Sequence, residues 1–73
     1  MDSNYFSIYI NIGEKLKLKR KSKGLTQQQL ADKITKLDRS KISDIENGKE
    51  DFLLSTLLKI CNALEIEPKD LFE

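Results

Sequence analysis

Apolar residues recur along this chain at two spacings. From residue 12 onward they fall three and four apart: Ile12 and Leu16, then Leu30, Ala31 and Ile34, then Ile42 and Ile45, then Leu57, Ile60, Cys61 and Leu64. That is the period of helices with one buried face. Residues that start and stop helices stand between the runs. Asn11 with Glu14, and Thr26 with Gln29, are capping boxes, in which two side chains satisfy backbone N–H groups left unpaired at a helix start. Gly24 and Gly48 stand where a left-handed residue closes a helix. The pattern predicts a helix from Ile12 to Lys23, a second after Thr26, a third between Asp38 and Gly48, and a fourth capped by Ser55. Pro68 suits the first turn of a last short helix ending in Leu71 and Phe72.

The first ten residues break this rhythm. Phe6, Ile8 and Ile10 alternate with Ser7 and Tyr9, a period of two in a β-branched and aromatic stretch. Two readings stand. One is a short strand or apolar arm over residues 1–11 that packs on a partner or on its own copy in a dimer. The other is an extension of the first helix, or a frayed end. The expected organisation is therefore an arm at 1–11 followed by an all-α domain of five helices at 12–73.

The third helix differs from the others in what its apolar pair leaves over. Arg39, Ser40, Lys41, Ser43, Asp44 and Asn47 fill its remaining positions. Those side chains donate to or accept from base edges and phosphates. Two short helices and a turn, the second showing polar groups outward, describe a helix-turn-helix.

Charge strengthens this picture although the net value, +1, hides it. Residues 15–49 carry eleven Lys/Arg against Asp32, Asp38, Asp44 and Glu46, a balance of +7. Residues 50–73 carry Lys59 and Lys69 against six acidic residues, a balance of −4. The basic part coincides with the helix-turn-helix and favours a polyanion partner. A well-solvated surface accounts for the charges equally well, and lysines near the end of the first helix also complement its dipole.

Composition excludes several classes. With 73 residues the chain is one small domain. It has no histidine and one cysteine, so no disulfide framework or Cys/His zinc site can be built, and no cofactor or metal is expected. Cys61 reads as a small buried hydrophobe. No paired carboxylates stand in a recognisable pocket motif, so an enzyme is not expected. No run approaches a membrane span, and Asp2 stands where a signal peptide would be basic, so a cytoplasmic protein is expected. Phe52, Leu53, Leu54 and Leu58 exceed what one helix face needs; they point to a subunit interface, with Leu54 equally readable as core.

The string Arg20-Lys-Ser-Lys-Gly-Leu-Thr-Gln27, then Leu30-Ala31, Ile42-Ser43, and Ile45-Glu46-Asn47-Gly48, resembles the lambda-repressor-like, or Cro/XRE, helix-turn-helix family. Ser55 to Leu64 looks like that family's fourth helix. The resemblance covers roughly residues 12–72. It implies a five-helix domain that binds double-stranded operator DNA as a two-fold homodimer. It also implies roles. Gln27 is similar to the glutamine that contacts a phosphate and braces the recognition helix, and Gln28 beside it joins the DNA-facing set. Arg39, Ser40, Lys41, Ser43 and Asp44 occupy the recognition-helix positions, with Asp38, expected to cap that helix, in the same DNA-facing set, while Asn47 and Lys49 look like the backbone-contacting residues that follow. Arg20 and Glu46 match a pair that forms an internal ion pair in relatives. One departure stands out: between Ala31 and Ile42 this chain is one residue longer, with Thr35-Lys36 where relatives commonly have one glycine or asparagine. A longer turn tilts the recognition helix or starts it one residue late.

A sequence-specific transcriptional regulator, expected to be a repressor, is the leading functional reading. Arg39 either pairs with a guanine or is held by Asp38 and Asp44 in an intrahelical ion pair. Asp44 either accepts from a cytosine amine or excludes wrong sites. Two alternatives stay open. Chains of this size are also similar to antitoxins, which bind a toxin protein as well as their own operator; the apolar stretch Tyr5 to Ile10 would serve that. Leu37-Asp38-Arg39 resembles the controller proteins of restriction–modification systems.

Overall fold

A computed structural model describes residues 2–49 and 52–72 of the chain, with side chains from Tyr5 onward. Met1, Glu50, Asp51 and Glu73 lie outside the described residues. Four α-helices, α1 (Asp2–Ser22), α2 (Gln27–Asp32), α3 (Arg39–Glu46) and α4 (Leu54–Leu64), are followed by a 3-10 turn at Pro68–Leu71. No strand occurs among the described residues.

The apolar stripes converge as their spacing requires. Ile12 and Leu16 of α1, Leu30 and Ala31 of α2, Ile42 and Ile45 of α3, and Leu57, Ile60, Cys61 and Leu64 of α4 are all buried together. Ile34 from the turn after α2 and Leu71 from the 3-10 turn complete that core, and Leu25, Leu37, Phe52, Ala63 and Ile66 pack against its edge. Each fully buried leucine or isoleucine contributes about 1.5–3 kcal/mol through the area it removes from water.

Three helices end the same way. After α1, Gly24 N–H reaches the Lys21 carbonyl at 2.9 Å and Leu25 N–H the Arg20 carbonyl at 3.2 Å. After α3, Gly48 and Lys49 donate to the Ile45 and Asp44 carbonyls at 3.1 and 2.9 Å. After α4, Glu65 and Ile66 donate to Asn62 and Cys61 at 3.1 and 3.0 Å. These paired bonds need a left-handed residue, with φ of 74° at Gly24, 66° at Gly48 and 59° at Glu65.

Several boundaries differ from expectation. The first helix does not begin at Ile12: it runs unbroken from Asp2, so Asn11 and Glu14 are interior and cap nothing. Of the two readings of the first residues, extension of the first helix holds from Asp2 onward and the strand does not, because tertiary contact along α1 outweighs a local β-branched preference. Ser55 does not cap α4; the N-cap is Leu53, without a side-chain cap bond. The fifth helix is a 3-10 turn ending at Leu71; at its start Glu67 N–H donates to Asp70 Oδ2 at 3.0 Å and Asp70 N–H donates to the Glu67 carbonyl at 2.9 Å.

Gly13 explains how closely α1 and α3 cross. A Cβ placed there would collide with the Ile45 carbonyl oxygen and stand 2.8 Å from that of Glu46. Only a residue without a side chain lets α1 lie on the end of α3.

Candidate nucleic-acid interface

α2, a turn and α3 form the helix-turn-helix. The Thr26 hydroxyl accepts from Gln29 N–H at 3.0 Å, and Gln29 Oε1 accepts from Thr26 N–H at 2.8 Å, which fixes where α2 begins. Asp38 Oδ1 accepts from Lys41 N–H at 2.9 Å and does the same for α3. The carboxylate of Asp38 is thus engaged as a cap, at the positive end of the helix dipole. Between the two helices Lys36 adopts φ of 65°, a left-handed conformation that non-glycine residues rarely take. Lys36 belongs to the Thr35-Lys36 pair that lengthens this turn, and α3 starts directly after its aspartate cap.

α3 is seated from three directions. Ile42 and Ile45 are each 1% exposed in the core. Its end is held by Glu46, whose Oε2 accepts from Arg20 Nε at 2.6 Å and whose Oε1 accepts from Arg20 Nη2 at 3.0 Å. Arg20 Nη1 also donates to the Leu25 carbonyl at 2.7 Å, and Gln27 Nε2 donates to Glu46 Oε1 at 3.1 Å. One buried carboxylate therefore joins α1, the start of α2 and the end of α3. Its charge is matched by a bidentate guanidinium, the strong form of such a pair.

Opposite that anchoring lies a polar face. Arg39 and Ser40 are exposed at the start of α3, Lys41, Ser43 and Asp44 are half-buried, and Asn47 and Lys49 are exposed just beyond its end. Among the described residues no ion pair ties Arg39 to Asp38 or Asp44. Asn47 Nδ2 lies 3.4 Å from Ser43 Oγ. Gln28 is exposed on α2 and donates to Asp32 Oδ1 at 2.8 Å, whereas Gln27 is half-buried against Glu46.

The structure adds a cation that sequence reasoning passed over. Lys36 lines a shallow depression with Asp38, Ser40, Lys41 and Asp44, so the turn itself contributes to this face. The signal was the extra residue at Thr35-Lys36, read only as a length change.

Comparison with known proteins agrees with this geometry. Residues 13–73 match the model of the helix-turn-helix domain family. The chain belongs to that family. Within it, the chain is 46% identical over 66 residues to control protein C.MunI of Mycoplasma sp., covering 89% of this chain and 88% of that one. It is 41% identical over 58 residues to the immunity repressor protein of Bacillus phage phi105, covering 80% of this chain but spanning only 40% of the repressor's length. The crystal structure of the restriction–modification controller protein C.AhdI from Aeromonas hydrophila superposes with a TM-score of 0.86 at 37% identity, over 93% of this chain and 97% of that one. With these relatives, this helix-turn-helix chain is a DNA-binding transcription regulator. Among the described residues no helix is long and apolar enough to cross a membrane.

Proposed function

We propose that this helix-turn-helix protein reads a palindromic operator as a homodimer, with α3 lying in the major groove. The observation that carries the reading is the division of α3: Ile42, Ile45 and Glu46 are buried while Arg39 and Ser40 stand in solvent. A short helix locked from behind meets a groove without first being ordered, so little binding energy is lost to conformational entropy.

Arg39, Ser40, Lys41, Ser43 and Asp44 are the groups proposed to meet base edges. Arg39 is suited to a bidentate contact with guanine, worth about 1–3 kcal/mol of discrimination. Gln27, Gln28, Asn47 and Lys49 are proposed to meet phosphates, as is Lys36, which shares a depression with Ser40 and Lys41. Asp38 acts through its cap, by placing the first turn of α3. The test is duplex binding against salt: each phosphate neutralised contributes a slope of about −0.9 in log K against log salt. Binding that does not weaken with salt contradicts the assignment.

The homodimer rests on size and on exposed apolar surface. One small module reaches few base pairs, whereas two half-sites about 34 Å apart double the contacts. Leu53, Leu54 and Leu58 near α4, and Phe72 with Ile8 and Leu18, are exposed and offer the surface. Sedimentation should show a dimer at micromolar concentration that Phe72→Ala weakens; a monomer unaffected by that change contradicts this placement.

Near full-length similarity to C.MunI and C.AhdI favours a controller of a restriction–modification system over a free-standing repressor or a toxin-binding antitoxin. A methylase or endonuclease gene beside this one would support that role. A toxin gene, or a toxin co-purifying through the exposed Tyr5, Phe6 and Ile8, would instead support an antitoxin.

A further inference from the structure

The amino-terminal half of α1 packs on the turn that closes α3 and on Phe52. A Cβ on Gly48 would stand 2.7 Å from Ile10 Cγ1 and 3.0 Å from Ile10 Cα, so Ile10 lies directly on the left-handed turn that closes α3. Its neighbour Tyr9 meets Phe52 edge to face, with ring centroids 5.6 Å apart. Phe52 in turn borders the same shallow depression as Lys41, together with Leu53 and Thr56. Tyr9 continues a stripe through Gly13, Leu16 and Arg20, spaced four, three and four along α1, whose last three members pack on α3 or the core.

We infer that Tyr9 and Ile10 are positioning residues of the DNA-binding surface: they hold the Gly48 turn and Phe52, and so set where Asn47 and Lys49 stand relative to α3. This rests on the proposed reading of α3 as the DNA interface. The bonds from Gly48 and Lys49 to the Ile45 and Asp44 carbonyls tie the turn to α3 from one side, but glycine leaves its backbone permissive, and packing on its other side narrows the directions open to the residues beside it. Ile10 supplies that packing by direct contact. Tyr9 adds to it through its edge-to-face contact with Phe52, which lines one depression with Lys41. Asn47 and Lys49 contact phosphates in this scheme, so loosening the turn removes anchoring while leaving base preference intact.

The test uses the full chain as wild type, Tyr9→Ala, Ile10→Ala and Ile10→Val. Each is bound, over a range of salt, to a duplex that wild type selects from random-sequence DNA. Both alanine variants should bind about tenfold more weakly, with a slope shallower by about 0.9 for each phosphate contact released. Their preferred bases should not change, and Ile10→Val, which keeps the Cβ and Cγ1 that face Gly48, should match wild type. Unchanged affinity and slope in both alanine variants would overturn the inference. Global unfolding of either would overturn it too, since these residues would then belong to the core. Amide exchange at Gly48 and Lys49, without DNA, separates this inference from the reading beneath it. Exchange should quicken in both alanine variants even if wild type proves to select no site at all.

Discussion

Arg20 and Glu46, 26 positions apart in sequence, are joined by two hydrogen bonds of 2.6 and 3.0 Å in a site where they are 6% and 4% exposed. Such a pair adds little net stability relative to a well-packed apolar pair, but stranding one member is costly. Glu46→Ala leaves the guanidinium buried with only the Leu25 carbonyl, and should cost about 3–5 kcal/mol. That is a large share of the roughly 5–15 kcal/mol holding a small domain together. Urea denaturation should show it as a much lower midpoint. Combining it with Arg20→Met should recover part of the loss, because no charge is then stranded. An unchanged midpoint for Glu46→Ala would mean that solvent reaches Arg20.

At Gly13 two effects oppose each other. Replacing glycine by alanine inside a helix normally stabilises by about 0.5–1 kcal/mol. Here the new methyl would meet the Ile45 and Glu46 carbonyl oxygens, which belong to backbone and cannot rotate away. Overpacking of that kind costs about 1–3 kcal/mol, so Gly13→Ala should lower the melting temperature. A rise would show that α1 and α3 lie further apart.

Glu65 offers the converse. It occupies a left-handed conformation, φ 59°, at the end of α4 and away from the proposed DNA face. A left-handed backbone costs a non-glycine residue about 1–2 kcal/mol, against about 0.4–1 kcal/mol lost through a more flexible unfolded chain. Glu65→Gly should therefore raise the melting temperature slightly without altering duplex binding. Destabilisation would mean that the Glu65 side chain makes a contact worth more than the strain.

Burial pushes the Cys61 thiol above its ordinary value of 9.0, and the nearby Asp70 carboxylate acts in the same direction. The fold thus favours the neutral thiol. The associated stability is fully present below the unfolded value and is lost as pH rises through the folded one. A thiol reagent at pH 8 should label Cys61 slowly in the native protein and quickly in urea. Equal rates would place the sulfur in solvent.

Local chemistry made much of this molecule legible in its sequence. Thr26 with Gln29, Asp38, Gly24 and Gly48 act through neighbours within a few residues, and each closes or opens the helix it was expected to. The periodic isoleucines and leucines likewise reached the core. Ser55 failed as a local cap, since α4 starts at Leu54 without one, and the other failures depended on distant contacts. Asn11 and Glu14 have the spacing of a cap, but Ile10 lies on Gly48 and Tyr9 on Phe52, and the helix continues through them. No local pattern announces a glycine selected by another helix's carbonyls, so Gly13 went unremarked. Lys36 was visible as an extra residue, whereas its place beside Ser40 and Lys41 depended on the path of the turn. The polar residues of α3 were readable as a set because they are what its buried face leaves over.

The central claim, that α3 reads bases from a rigid seat, is tested most directly by selecting duplexes from a random-sequence pool with wild type and with Arg39→Ala. Wild type should enrich a two-fold symmetric sequence with half-sites about one helical turn apart. Arg39→Ala should remain folded and lose its preference at one position of each half-site. No enrichment by wild type, or the same preference at every position in both proteins, would contradict it.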